Sequence, residues 1–296
     1  MNEQPEPDDI TRASRRLLKV FEPVHSISYY SPEIQALKDD GFKGWWHAYF
    51  AYRSAPMGPV GPETVTAAFY NFAPSMVEQA IPGVWDIMSP EDILERRLVL
   101  VSMAMQRIFG DDPAHGPFGD DIRAAAALAR AAIDDVDPEG RVLFAAHTGL
   151  AWPDEVHLQL WHACTLLREH RFDGHSIALA GAEVDGLESH VLMAGRGYGD
   201  QASITAIRGW TDDEWESAVA RMALRGWTDA TGTITDEGNH ARRIIERHTD
   251  RLASAPLRRL GQERTAELEA HLSRLAQHLI ETGEVAGRWP PPHLRT

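Results

Sequence analysis

Four of the fourteen histidines fall within nineteen residues, in the stretch WPDEVHLQLWHACTLLREHRFDGHSIALAGAEVDG from Trp152 to Gly186. They are His157, His162, His170 and His175, and the only cysteine, Cys164, lies among them. Pro153-Asp154-Glu155 is a helix start, with a proline and acids in the first turn. Val156, Leu160, Ala163, Leu166 and Leu167 then recur at helical spacing, which predicts a buried stripe. The helix is expected to end near Asp173-Gly174, with Asp173 capping the next one.

A helix of this kind must reconcile an apolar stripe with ionisable groups that share its flank. His162, Glu169 and Asp173 are spaced by seven and then four residues, and His170 falls close to the same flank. Histidine, arginine and carboxylate at a helix junction suit anion binding, proton transfer or a metal. They also suit an ordinary helix end, where cations meet the dipole.

The first half is aromatic. GFKGWWHAYFAYRSAPM, residues 41 to 57, places Trp46, Tyr49, Phe50 and Arg53 at helical spacing, and FYNF brings Tyr70 and Asn71. Rings at such spacing predict a core. A polar group among them is either satisfied internally or turned to a ligand cavity. The candidate ligand-binding residues are therefore His25, Trp46, Tyr49, Arg53, Tyr70 and Asn71, joined from the central helix by His162, Arg168 and His170. Arg53 or Arg168 would hold a carboxylate or phosphate, and the rings the apolar body.

An enzyme reading uses the same helix. His170 or His162 would act as general base, oriented by Glu169 or Asp173. A metal would take His170, Asp173 and His175. No phosphate-binding glycine loop, nucleophile elbow or H-E-x-x-H helix is present, and no cofactor is required by the sequence.

Charge limits the partners. The chain has 44 acids against 29 bases, a formal charge of −15. That disfavours general affinity for nucleic acid, which needs clustered Lys and Arg. A hydrophobic content of 43% is enough for a core, and no apolar run approaches the roughly eighteen residues of a membrane span. The N-terminus MNEQPEPDDITRASRR lacks an apolar segment, so the expectation is a cytoplasmic protein with no membrane partner. One cysteine excludes an internal disulfide.

Helix signals continue along the chain. The helix from Thr11 is expected to be interrupted at Glu22-Pro23, with residues 1 to 10 disordered. Ser89-Pro90-Glu91 starts another helix, and residues 121 to 134 form an Ala-rich one. After Gly174 a short helix HSIALAGAE is expected, then one capped by Asp185, then GDQASITAIRGW. Thr211 and Glu214 make a capping box before Trp215, Val219 and Met222. WTDATGTITDEG reads as a hairpin with its tip at Ala230-Thr231-Gly232. Long helices from Thr235 to Ala253 and from about Gln262 to Thr282 follow, and RWPPPHLRT is expected to be irregular.

This order of short helices, TDDEWESAVARMALRGW, hairpin and long helix resembles the MarR-type winged helix over roughly residues 174 to 255. FEPVH, FYNFAP, LWHACTLLREHRFDGH and GWTDDEW resemble a little-characterised actinobacterial helix-turn-helix-like family across most of the chain. The resemblance implies a mainly α fold. Its winged-helix-like C-terminal domain, with a small β-hairpin wing, would pack on a helical N-terminal domain. The expected divisions are 11–112, 121–173 for the linking helices, and 174–282. It also implies a possible homodimer through residues 236 to 282.

Departures from that pattern bear on DNA. The expected recognition helix, residues 211 to 225, carries Asp212, Asp213, Glu214 and Glu216 against Arg221 and Arg225. Its acidic end would meet the phosphates. The hairpin tip has no Lys or Arg, and the Asp-x-Arg wing pattern is missing. Three functions follow. The leading one is a small-molecule-binding protein acting as sensor, carrier or sequestering protein. The others are an enzyme, and a MarR-like transcription regulator that would use Arg242, Arg243 and Arg247.

Overall fold

The computed structural model describes residues 8–285, so the expectations for residues 1 to 7 and for the tail from 286 lie outside it. Fourteen α-helices make up the described chain. They are α1 Asp9–Tyr30, α2 Trp45–Ser54, α3 Pro62–Phe69, α4 Pro74–Glu78, α5 Pro90–Phe109, α6 Gly119–Ile133 and α7 Val142–Thr148. Then come α8 Val156–Gly181, α9 Gly186–Ala194, α10 Gln201–Arg208, α11 Asp212–Leu224, α12 Asp236–Leu252, α13 Ala255–Leu260 and α14 Gln262–Glu281. Short 3-10 turns lie at Pro32–Lys38, Ala55–Met57 and Gly83–Asp86.

The expected β-hairpin wing is absent, and this corrects the fold class to all-helical among the described residues. Between α11 and α12 the only β pairing is one isolated antiparallel bridge, Thr228 to Ile234. Two backbone bonds cross the segment, Asp229 N–H to Thr233 C=O at 2.8 Å and Thr235 N–H to Trp227 C=O at 3.0 Å, and local side-chain bonds take up further groups. The Asp229 carboxylate accepts from the backbone N–H of Thr231 and Thr233 at 2.8 and 3.0 Å. Ile234 N–H donates out of the segment, to Gly195 C=O at the end of α9. A strand needs those backbone groups for its neighbour.

Two helix boundaries also differ from expectation. α1 continues through Pro23 to Tyr30, which carries Tyr29 and Tyr30 onto the same helix as Leu17 and Phe21. α8 continues through Gly174 to Gly181. Gly174 is there because of close packing: a Cβ would stand 2.9 Å from an Arg141 nitrogen and 3.2 Å from the Leu252 Cβ on α12. The glycine costs helix propensity but allows α12 and Arg141 to close on α8.

Three apolar clusters surround α8. Leu17, Val101, Ala129, Trp161, Leu167 and Leu275 belong to one, built on α1, α5, α6, α8 and α14. Phe50, Tyr52, Phe69, Phe72 and Ile81 centre the second, around α2 to α4. The third packs α9, α10, α11 and α12 on the last turns of α8, through Leu179, Val191, Ile204, Trp215 and Met222. The local caps agree with the sequence at three starts: Ser89, Asp185 and the Thr211/Glu214 box. Among the described residues, no helix is long and apolar enough to cross a membrane.

Candidate functional site

The polar residues of α8 divide between an enclosed interior and a cavity wall. Inside, Arg53 and Glu169 make a two-point ion pair, Nε–Oε1 and Nη2–Oε2, each 3.1 Å. Both are buried, and the guanidinium lies between the rings of Phe69 and Phe172, 4.3 Å from each centroid. Arg168 Nη1 adds a 2.8 Å bond to Glu169 Oε2. Burial would raise the Glu169 carboxyl, but Arg168 and Arg53 outweigh it and hold it well below the usual carboxylate range.

Histidines fill the same interior. His25 Nδ1 meets Thr165 Oγ1 at 3.0 Å, and His147 Nδ1 donates to Leu143 C=O at 2.8 Å. His162 packs edge-on against Trp152, and His170 against Phe144. The Nε2 atoms of His25, His162 and His170 are enclosed without a hydrogen-bond partner. Burial, with Arg97 second, lowers His147 to about 4. Burial, with the neighbouring His147 second, lowers His162 to about 3, and burial with Arg141 lowers His170 to about 3. The ring of each is therefore neutral near pH 7.

A cavity of about 610 Å³ opens beside this interior. Its aromatic wall comes from Tyr29 and Tyr30 of α1 and from Trp45, Trp46 and Tyr49 of α2. Trp45 stacks on Tyr49 with centroids 5.2 Å apart, and Trp45 Nε1 donates to Tyr29 C=O at 3.0 Å. Tyr49 ties this wall to the interior, its hydroxyl accepting from Arg53 Nη1 at 3.2 Å. Glycine and aromatic-rich sequence around Gly44 thus builds a ring stack whose edges are tethered by backbone bonds.

The facing wall is polar. α8 contributes Arg168, Arg171, Phe172 and His175; α9 contributes Ser189 and His190. Arg208 comes from the last turn of α10, and Arg242, Glu246 and Thr249 from α12. Arg171 pairs with Asp250 at 2.7 Å and Arg242 with Glu246 at 2.6 Å. Burial, followed by the charge of Arg208, lowers His190 to about 3. Aromatic and apolar area facing a few convergent charged groups is the usual makeup of a small-molecule site.

The structure distributes the sequence candidates as follows. Trp46, Tyr49, Asn71 and Arg168 line the cavity, and so does His175, whose Nδ1 meets Thr249 Oγ1 at 2.9 Å. His25, Arg53, Tyr70, His162, His170, Glu169 and Asp173 are off its wall. Tyr70 donates to Val184 C=O at 2.7 Å, and Asp173 accepts from Phe144 N–H at 2.9 Å. Among the described residues, no group of three or more His, Cys, Asp or Glu is placed to hold a metal ion. Sequence reasoning passed over Tyr29, Tyr30, Trp45, His190 and Arg208. The signal for the first two was the aromatic run SYYS after Pro23, which becomes cavity wall only because α1 does not stop.

α10 and α11 are consecutive helices joined by the three-residue turn Gly209-Trp210-Thr211. Asp212, Asp213, Glu214 and Glu216 are exposed at the start of α11. Its arginines turn back to the protein. Arg221 pairs with Glu188 at 2.6 Å and Asp185 at 2.7 Å. Arg225 donates to the carbonyls of Glu183 and Ala182 at 2.6 and 2.8 Å. On α12, Arg243 is exposed while Arg242 faces the cavity.

No curated protein and no solved structure matches the chain. The sequence model of a helix-turn-helix family matches residues 14–286, which takes in the cavity walls as well as the α10–α11 pair. With that match running over nearly its whole length, the chain belongs to this helix-turn-helix family.

Proposed function

We propose that this helix-turn-helix protein binds a small organic molecule in the cavity between α1, α2, α8, α9, α10 and α12, as a sensor, carrier or sequestering protein. One observation carries the reading: five aromatic side chains face four arginines across about 610 Å³, a volume within the ~300–1,000 Å³ range of ligand pockets. Arg208 ends α10, immediately before the turn into α11, so an occupant of the cavity would press on the α10–α11 pair. A thermal-shift screen of small aromatic and anionic compounds tests this. Hits that raise the melting midpoint in proportion to concentration support it, as binding to the native state requires. Tyr49 and Met193, the latter on α9, both line the cavity, and if Tyr49→Ala and Met193→Trp leave every hit unchanged, the cavity is not the site.

The family match favours a second reading, a DNA-binding regulator; a MarR-like dimer is the form of it that we propose. The exposed acids of α11 oppose phosphate contact there, so cations elsewhere, such as Arg243, would have to supply it. Fluorescence anisotropy with duplex DNA over a salt series decides it. Binding that weakens steeply with salt supports a regulator. No binding at low salt, with or without a thermal-shift hit, removes it.

A further inference from the structure

The cavity's charges do not balance. Arg53 and Arg168 share Glu169, and Arg168 lies 3.8 Å from Glu22. Arg171 pairs with Asp250 and Arg242 with Glu246, and Arg15, off the cavity wall, draws on both carboxylates as well. Arg242 Nη1 is enclosed with no acceptor, although Nη2 holds Glu246.

Arg208 has no carboxylate partner at all among the described residues. Its guanidinium lies over Phe72, 4.4 Å from the ring centroid, and its Nε is enclosed without an acceptor. A ring face compensates a buried cation only in part. His190 stands on the same wall, within electrostatic reach of both Arg208 and Arg242 and neutral itself, so it donates or accepts without adding charge. In a chain of net charge −15, this is a local inversion of sign.

We infer that the cavity selects an anionic ligand with a flat aromatic or conjugated body. Arg208 receives the carboxylate, sulfonate or phosphate, and Trp45, Trp46 and Tyr49 pack the body. This rests on the small-molecule reading above and narrows it to a chemical class. The guanidinium can donate two parallel hydrogen bonds to such a group, and an apolar cavity strengthens them.

Two probes that share a ring system separate the inference from the reading beneath it. 8-Anilinonaphthalene-1-sulfonate is anionic, and N-phenyl-1-naphthylamine has the same rings without the sulfonate. Calorimetric titration of the full chain should give one site that binds the anion at least about tenfold tighter. Arg208→Gln should abolish that preference while the affinity for the neutral probe stays within about twofold, and Arg208→Lys should restore part of it. Equal affinities in the wild type, or an intact preference in Arg208→Gln, overturn the anion inference and leave the cavity reading standing. Binding of neither probe overturns both. Circular dichroism melting establishes that each variant is folded; if Arg208→Gln is not, the wild-type ratio and Arg208→Lys decide.

Discussion

Arg53 Nε and Nη2 meet Glu169 Oε1 and Oε2 at 3.1 Å in the interior, more than a hundred residues apart in sequence, and neither side chain reaches solvent or the cavity wall. This pair converts Arg53 from a ligand-clamp candidate into the strut that locks α2 to α8. Breaking such a pair leaves a buried charge unmatched. Glu169→Ala, which strands Arg53 and part of Arg168, should cost about 3–5 kcal/mol in guanidinium unfolding. Arg53→Met should cost less, because Arg168 still answers Glu169. A loss under about 1 kcal/mol in both variants would show that the pair is replaceable by solvent.

The interior histidines set the acid limit. An unfolded histidine has its ordinary value near 6.5, whereas the fold lowers His147 to about 4 and His162, His170 and His190 to about 3, burial being the main cause. The unfolded chain therefore binds more protons in this window. Stability is fully present above pH 6.5 and falls as pH drops toward 4. At pH 5 each such histidine should cost about 2 kcal/mol relative to neutrality. Asp173 acts in the opposite sense: burial raises it from 3.8 to about 6, so it favours the fold on acidification. Burial raises Glu22 and Asp250 in the same sense, but it also lowers His25, and three carboxyls do not offset five imidazoles. Melting midpoints should fall monotonically from pH 7.5 to 5, and a flat profile would mean that the rings are protonated in the fold.

How far the sequence was readable depended on how local each signal was. The Asp185 cap and the Thr211/Glu214 capping box are local signals, and both formed where expected, with Glu188 completing a box at Asp185. Pro23 and Gly174 are breakers by local rules, yet α1 and α8 run through both, and the packing partners that call for Gly174, Arg141 and Leu252, are distant from it in sequence. The hairpin signal TDATGTITD failed for the reverse reason: the Asp229 carboxylate takes the backbone N–H of Thr231 and Thr233 locally, and the segment closes as a turn with a single bridge. The apolar stripe and aromatic run were visible as patterns. Which arginine would lack a partner was not, since Arg208 differs from Arg171 and Arg221 only in what surrounds it after folding.

Cys164 should be chemically silent. It is fully buried on α8, and burial pushes the thiol up, far from thiolate at neutral pH. Ellman's reagent should therefore label it only at the rate of unfolding, and at once in denaturant. Rapid labelling of native protein would reveal an opening of α8 toward α1 and α6.

Gly186 links the fold to the cavity, and its substitution separates packing from propensity. A Cβ there would stand 2.1 Å from Tyr70 C=O and 2.8 Å from Asn71 Cα, both backbone atoms that cannot rotate away. The same loop is already fastened, since Asn71 C=O accepts from Trp210 Nε1 at 3.2 Å and meets His190 Nε2 at 3.3 Å. Gly186→Ala must push this loop off α9, costing about 1–3 kcal/mol by overpacking and moving Asn71 on the cavity wall. Gly181→Ala is the control. It sits at the exposed end of α8 with nothing within 4 Å of the added carbon, so it should be neutral or stabilise by up to about 1 kcal/mol. Urea unfolding of the two variants, with ligand affinity measured alongside, should therefore diverge in sign. Equal stability would mean that the loop at Tyr70 is loose enough to yield, and that the cavity wall it forms is adjustable.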